Sequence, residues 1–266
     1  MKKTIISCVL FLTAVTAFSQ TPMKTAAEAK LSASDLAVKI ADRILATTTY
    51  EFKNTKTGKT YKSVKNLPLD MNVKVACKYN NWHYTNGVTH IALMELADKT
   101  GAKKYDDYVL KNMNFVFNEG NLDFFKKQYE QAMKNEGWYG VRKLSWHMIF
   151  RGKRLDDNGP MGASLIDLQM KHPNNSFLNY INETAEHLNY GEPRLADGTI
   201  ARIWPHENTI WADDAFMAIS FLARMAKMTG DMSYINDAAN QVIKYHKYLW
   251  CPEKRILYHC YHTDTD

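Results

Sequence analysis

Ala92-Leu93-Met94-Glu95-Leu96-Ala97-Asp98-Lys99-Thr100-Gly101, with Tyr105 four residues on, returns later as Phe221-Leu222-Ala223-Arg224-Met225-Ala226-Lys227-Met228-Thr229-Gly230 with Tyr234. In both copies apolar residues recur at three and four, the helical period, and the run stops at Thr-Gly. A glycine there suits the left-handed position just past a helix, and so short a loop makes the flanking helices an antiparallel pair. A third, weaker copy runs from Leu165 to Leu178 with His172-Pro173-Asn174 as its break. No such hairpin buries its apolar face alone, so neighbours must stack or close into a ring. A toroid of helix pairs accounts for the repeat better than a four-helix bundle, whose helices need no recurring hairpin of this kind. The expected class is all-α.

The same period extends outward from these copies. A Ser34/Asp35 start can cap a helix carrying Leu36, Ile40, Ile44 and Leu45. Further helices are expected at roughly 84–99, 104–118, 122–135, 160–171, 176–190, 212–229 and 233–249, with 50–80 and 192–210 as irregular or short-strand connections. The stretch 121–150, with Lys126-Lys127, Trp138, Trp146 and His147, reads as an insertion at the rim. His90 and His172 read as ordinary core or surface histidines, and Met94, Met225 and Met228 as core stripe.

Across 266 residues, 45% hydrophobic and 12% aromatic content with only 12 Gly and 7 Pro excludes disorder, collagen and low-complexity linkers. Met1-Lys2-Lys3, the apolar run from Ile5 to Phe18 and the small-x-small site Ala17-Phe18-Ser19 read as a cleaved secretory signal over residues 1–19. A secreted or periplasmic location is expected, with residues 20–266 as the mature domain. The run is too short to span a bilayer and nothing else qualifies, so no membrane partner is expected. The net charge of +6 falls to about +4 without Lys2 and Lys3, and it is spread without a Lys/Arg run, so no nucleic-acid partner is expected either. Cys8 belongs to the signal. Cys77, Cys251 and Cys260 remain, an odd number, and Cys251 could pair with Cys260 across a hairpin only if the geometry allows it. Neither C-x-x-C nor H-E-x-x-H occurs, so no zinc spacing is present.

Three segments precede the first helix of a hairpin and carry more polar and aromatic residues than a cap needs. They are Asn81-Trp82-His83-Tyr84-Thr85-Asn86-Gly87, Arg154-Leu155-Asp156-Asp157-Asn158-Gly159-Pro160-Met161-Gly162, and Trp204-Pro205-His206-Glu207-Asn208-Thr209-Ile210-Trp211-Ala212-Asp213-Asp214. Hairpin repeats return each first helix to one end of the array, so all three should meet in a cleft lined with Trp, His and Asp. Carbohydrate sites are built this way, from aromatic faces and hydroxyl-binding carboxylates. Alternatively Asp156, Asp157, Asp213 and Asp214 are helix caps and first-turn acids, favoured there by the helix dipole. The pattern alone weighs the two readings about equally.

The segment Ile210-Trp211-Ala212-Asp213-Asp214-Ala215-Phe216-Met217, the Leu155–Gly162 turn, the Trp82–Gly87 opening and Leu257-Tyr258-His259-Cys260-Tyr261 together resemble glycoside hydrolase family 105, the unsaturated rhamnogalacturonyl hydrolases, in order and spacing over about residues 35 to 266. The W-x-D-D-x-[FY]-M segment is the most specific part. The resemblance implies an (α/α)6 barrel, no metal or other cofactor, and an oligosaccharide substrate whose non-reducing end is a 4,5-unsaturated uronic acid left by a polysaccharide lyase. It matches Asp213 to the proton donor, Asp157, counted back from Gly162, to a second essential carboxylate, and Trp211 and His259 to residues lining the sugar site. His83 and Tyr84 of the opening segment join that lining, and Arg202 and His206 are read as partners for the substrate carboxylate. The family's glycine after the histidine is Cys260 here.

The chemistry suits these residue types. Protonating C4 of the enol ether generates an oxocarbenium ion at C5, water adds there, and the hemiketal opens to release the aglycone. One carboxylic acid must therefore hold a proton near neutral pH and later assist water. Two neighbouring Asp can arrange this, because repulsion and burial raise one pKa of the pair. Ordinary glycosidases differ, their carboxylates flanking the anomeric carbon. Six pairs at the roughly 55-residue repeat implied by Asp157 to Asp213 need well over 300 residues, so about 247 after the signal should form an incomplete ring lacking the C-terminal third. An unsaturated glucuronyl hydrolase of the same fold is the nearest alternative, and a non-catalytic carbohydrate-binding fragment is the alternative from another class. Other helical-toroid enzymes, such as mannan hydrolases and sugar epimerases, rank behind these.

Overall fold

The computed structural model describes residues 32–264, and the signal expected at 1–19 lies outside them. The chain divides into two compact units between Arg43 and Ile44. Helix α1 (Ala33–Thr47) begins in the first. Its cap is Ser32, two residues before the Ser34 start that the sequence suggests: the Asp35 amide donates to Ser32 Oγ at 3.1 Å and the Ser32 amide donates back to Asp35 Oδ2 at 3.2 Å. This is a reciprocal capping box.

The second unit opens with three short strands, β1 (Phe52–Asn54), β2 (Thr60–Tyr61) and β3 (Val73–Val75). They form an antiparallel sheet in the order β2-β1-β3, with Phe52 opposite both Tyr61 and Val75. Then come α2 (Tyr84–Thr100), α3 (Lys104–Val116), α4 (Glu119–Val141), the single turn α5 (Met148–Arg151), α6 (Leu155–Lys171) and α7 (Asn175–Glu186), which a π-helical turn (His187–Gly191) prolongs. After β4 (Thr209–Trp211) follow α8 (Ala212–Thr229) and α9 (Met232–Leu249), and last β5 (Trp250–Cys251), β6 (Ile256–Leu257) and β7 (Cys260–His262).

The repeats form hairpins as expected: α2/α3, α6/α7 and α8/α9. Gly101 and Gly230 take φ of 69° and 75° and donate to the carbonyls of Ala97 and Ala226. The first helices of the hairpins form an inner row in which α6 lies between α2 and α8. Glycines let them touch almost backbone to backbone. A Cβ at Gly87 of α2 would lie 2.4 Å from the Pro160 carbonyl carbon, and one at Gly159 of α6 would lie 2.8 Å from the Met217 carbonyl oxygen of α8.

Two expectations change. The helix expected from 160 begins at Leu155, so Pro160 sits in its second turn, where a proline deprives the Asp156 carbonyl of its usual partner. Burial between α2 and α8 outweighs that local signal, and the Trp82 indole N–H anchors the neighbouring Asp157 carbonyl at 2.6 Å. The 121–150 stretch is no rim insertion. Its helix α4 covers the sheet: the Phe124 and Phe125 rings lie 5.8 and 5.9 Å from Phe52, and Gln128 donates to the carbonyls of Asp70 and Val73 at 2.8 and 2.7 Å. Trp146 is buried beside Phe125 and Trp82.

Met94 and Met225 are buried core, Met228 and His172 half-buried. Cys251 and Cys260 do not pair, because β5 pairs with β6 while β7 pairs with β4, and all three described cysteines are free. Among the described residues no helix is long and apolar enough to cross a membrane.

His90 is a core residue with consequences for pH. It is buried beside Tyr108, neither ring nitrogen finds a partner, and burial pushes its pKa down to about 4. The folded pKa lies below the unfolded value of about 6.5, so the neutral ring's contribution to stability is complete above pH 6.5 and is lost as pH falls toward 4. The expected loss is about 3 kcal/mol over that interval. Urea unfolding at pH 7 and pH 4.5 should show a smaller difference for His90→Leu than for the parent chain. Equal differences would mean that another group sets the acid limb.

Candidate functional site

The N-terminal ends of α2, α6 and α8 converge, and β4 carries the chain into the last of them. β4 pairs with β7, placing Trp211 opposite Cys260, and the Ala212 amide donates to the His259 carbonyl at 2.8 Å. Two pieces of chain far apart in sequence are thereby joined. The His259 ring meets the Trp211 ring edge-on, 5.1 Å between centroids, and its Nε2 lies 4.0 Å from Asp213 Oδ1.

Arg202 is the hub. Its amide and the Thr209 carbonyl share a bond of 2.8 Å that fixes the loop beside β4. Its guanidinium lies 4.5 Å over the Trp211 ring and grips Asp214 through two bonds of 2.6 and 2.7 Å, with Asp213 Oδ2 at 3.4 Å and Asp156 Oδ1 at 3.7 Å. One oxygen of each of these three carboxylates lies within 4.8 Å of the others. The positive charge such a group demands is supplied by Arg202. Asp214 is buried, and burial pushes its carboxyl up to about 6 against the pull of Arg202, with Asp213 and Asp156 adding repulsion. Asp214 therefore keeps its proton to a higher pH than an ordinary carboxyl. Asp213 differs from Asp214 in that 42% of its side chain is exposed, although its Oδ1 is itself buried and has no hydrogen-bond partner.

Asp157 lies elsewhere. Its side chain is fully buried and chelated by Arg151 Nε and Nη2, and burial raises its pKa against that guanidinium. It is Asp156, half-buried, that the first turn of α6 turns toward Asp213. None of the four aspartates caps a helix with its side chain, since the capping residues are Arg154 and Trp211 and neither makes such a bond; the acids occupy the first turns.

His83 caps α2, accepting from the Thr85 amide, and its ring lies 4.5 Å from Tyr84. Burial lowers its pKa, while Asp156 pulls it upward, which places the opening segment within electrostatic reach of the acidic cluster. His206 stands apart on an exposed loop beyond the cis Trp204–Pro205 bond, its ring 5.5 Å from His262. The structure thus gathers Asp213, Trp211, His259 and Arg202, brings His83 and Tyr84 to the same end, and leaves Asp157 and His206 outside the cluster.

Arg151 had no signal in the sequence pattern, and Arg154 and Trp204 stood in the polar and aromatic segments without a role of their own. Arg151 finds Asp157 six residues on, outside the usual helical pairing distance, and also lies 5.0 Å over Trp138. Arg154 lies 4.6 Å over the ring of Trp204. Beside the acidic cluster a cavity of about 270 Å³ is lined by Arg154, Lys153, Asp156, Arg202, Asp214 and Trp204, with the His187–Glu192 pair (2.8 Å) also on its wall.

A family model described as Glycosyl Hydrolase Family 88 matches residues 56–266. No protein of curated function matches the chain. Among solved structures, the chain is similar to a possible member of the GH105 family from Klebsiella pneumoniae, with a TM-score of 0.54 and 13% identity over 88% of this chain and 53% of that one. A possible GH105 member from Salmonella enterica serovar Paratyphi A gives 0.54 and 14% over the same shares. A family 105 glycoside hydrolase from C. acetobutylicum gives 0.51 and 21%, over 76% of this chain and 47% of that one. The all-α hairpin fold and the family 105 resemblance are borne out. The chain spans about half the length of these structures.

Proposed function

The chain belongs to glycosyl hydrolase family 88, and from that premise we propose that it removes a 4,5-unsaturated uronic acid from the non-reducing end of lyase-generated rhamnogalacturonan oligosaccharides. The observation that carries this reading is Asp213, whose side chain is partly exposed while its Oδ1, buried, has no hydrogen-bond partner, beside an Asp214 carboxyl that burial pushes up to about 6. Asp213 delivers a proton to C4, the enol ether's electron pair forms the new C–H bond, and positive charge develops at C5, shared with the ring oxygen. Water adds at C5 and returns a proton to the Asp213 carboxylate. The hemiketal then opens and the aglycone leaves, one water having been consumed.

Arg202 orients Asp213 and Asp214, and Asp156 serves as the second carboxylate facing the reacting sugar. Asp157, matched to that role by position, instead anchors Arg151. Trp211 and His259 present an aromatic wall to the sugar. The signal at 1–19 would place this activity outside the cytoplasm.

The test is to incubate the purified protein with lyase digests of rhamnogalacturonan, other pectins and glycosaminoglycans and to follow the loss of enol-ether absorbance. Turnover of the rhamnogalacturonan disaccharide is expected. Turnover confined to glycosaminoglycan fragments would make it an unsaturated glucuronyl hydrolase, and binding without turnover would make it a carbohydrate-binding protein.

A further inference from the structure

A uronide brings a carboxylate into the cleft, and Arg202 was the sequence's candidate to receive it. Its guanidinium already faces Asp214, Asp213 and Asp156, one cation among three carboxylates, so that corner would repel an anionic sugar. Arg154 is different. It forms no ion pair among the described residues, and its guanidinium is spread over the Trp204 ring at 4.6 Å. It borders the cavity of about 270 Å³, which Asp156, Asp214 and Arg202 also line, so the cavity is continuous with the acidic cluster. Lys153, exposed beside it, adds a second positive charge at the same wall.

Resting on the function proposed above, we propose that Arg154, backed by Trp204 and aided by Lys153, binds the carboxylate of the terminal unsaturated uronide and so selects acidic over neutral sugars. A guanidinium stacked on an indole keeps its edge free for two parallel hydrogen bonds to a carboxylate while the ring limits its other rotamers. In the substrate the carboxylate is borne on C5, next to the carbon that receives the proton. Holding it against Arg154, on the Trp204 side of a cavity that Asp156 and Asp214 also line, directs the C4 edge toward the acidic cluster. Repulsion on one side and attraction on the other give a single orientation.

The test uses a disaccharide of unsaturated galacturonate and rhamnose, which bears one carboxylate, and its methyl ester, which bears none. Binding is measured by calorimetry on the Asp213→Asn chain, and turnover on the otherwise unchanged chain. Arg154→Met should weaken binding of the acid by about 10- to 100-fold, the range expected for one charge-assisted bidentate contact, and raise KM alike while leaving kcat and the melting temperature nearly unchanged. The ester's affinity should not move, and Arg154→Lys should recover part of the loss. Equal loss for acid and ester, no loss for either, or failure of the parent chain to prefer the acid would overturn the proposal. Arg154-dependent binding of the acid without turnover by the parent chain would leave this site standing and remove only the hydrolase reading.

Discussion

Asp213→Asn should lower turnover of an unsaturated disaccharide by roughly 100-fold or more while leaving its binding largely intact, the signature of a lost general acid. The amide keeps the shape of the side chain and can still accept from Arg202 Nη2, which lies 3.4 Å from Asp213 Oδ2. What it cannot do is give a proton to C4 or take one back from water. The substitution also removes one of three negative charges crowded around Arg202, so the fold is not expected to suffer. Turnover and calorimetric affinity measured on the same preparation separate the two effects. Near-full activity in Asp213→Asn, together with an inactive Asp156→Asn or Asp214→Asn chain that still folds, would move the proton donor to a neighbour.

Asp157→Ala should act on the fold instead. The substitution strands the Arg151 guanidinium, whose side chain is only 15% exposed, without the carboxylate that chelates it. Breaking such a pair from one side costs about 3–5 kcal/mol, which for a chain of this size corresponds to a melting temperature lower by on the order of 10 °C. Replacing both partners by apolar residues, Arg151→Met with Asp157→Leu, should recover much of the loss, because no uncompensated charge then remains buried. Asp156→Asn is the contrasting variant. Half-buried and 3.7 Å from Arg202, it should leave melting within about 2 °C and reduce turnover. An Asp157 variant that melts normally yet has lost activity, beside a fully active Asp156→Asn, would restore to Asp157 the role its position in the motif implies.

These adjacent aspartates mark the boundary between what local sequence decides and what packing decides. The hairpins were legible because their determinants are local. The three-and-four spacing of apolar residues, the Thr-Gly stops and the left-handed glycines at Gly101 and Gly230 act within a few residues of one another, and α8 spans 212–229 as its pattern predicts. The convergence of the three aromatic and acidic segments followed from the repeat, since each precedes the first helix of a hairpin.

The phase of each helix within the assembly was not local. One residue along a helix turns a side chain by about 100°, so only the seating of α6 between α2 and α8, set by Gly87 and Gly159, decided that Asp156 faces the cleft and Asp157 faces Arg151. That same seating carried the helix through Pro160, against its local preference. Arg202 shows the limit most plainly: its carboxylates lie 11, 12 and 46 residues away, and no period links them. The sequence by itself determined that helical hairpins form and which residues crowd one end of them. The tertiary structure alone decided which carboxylates meet and that Arg154 forms no ion pair among the described residues, because those choices depend on close contact between backbones distant along the chain.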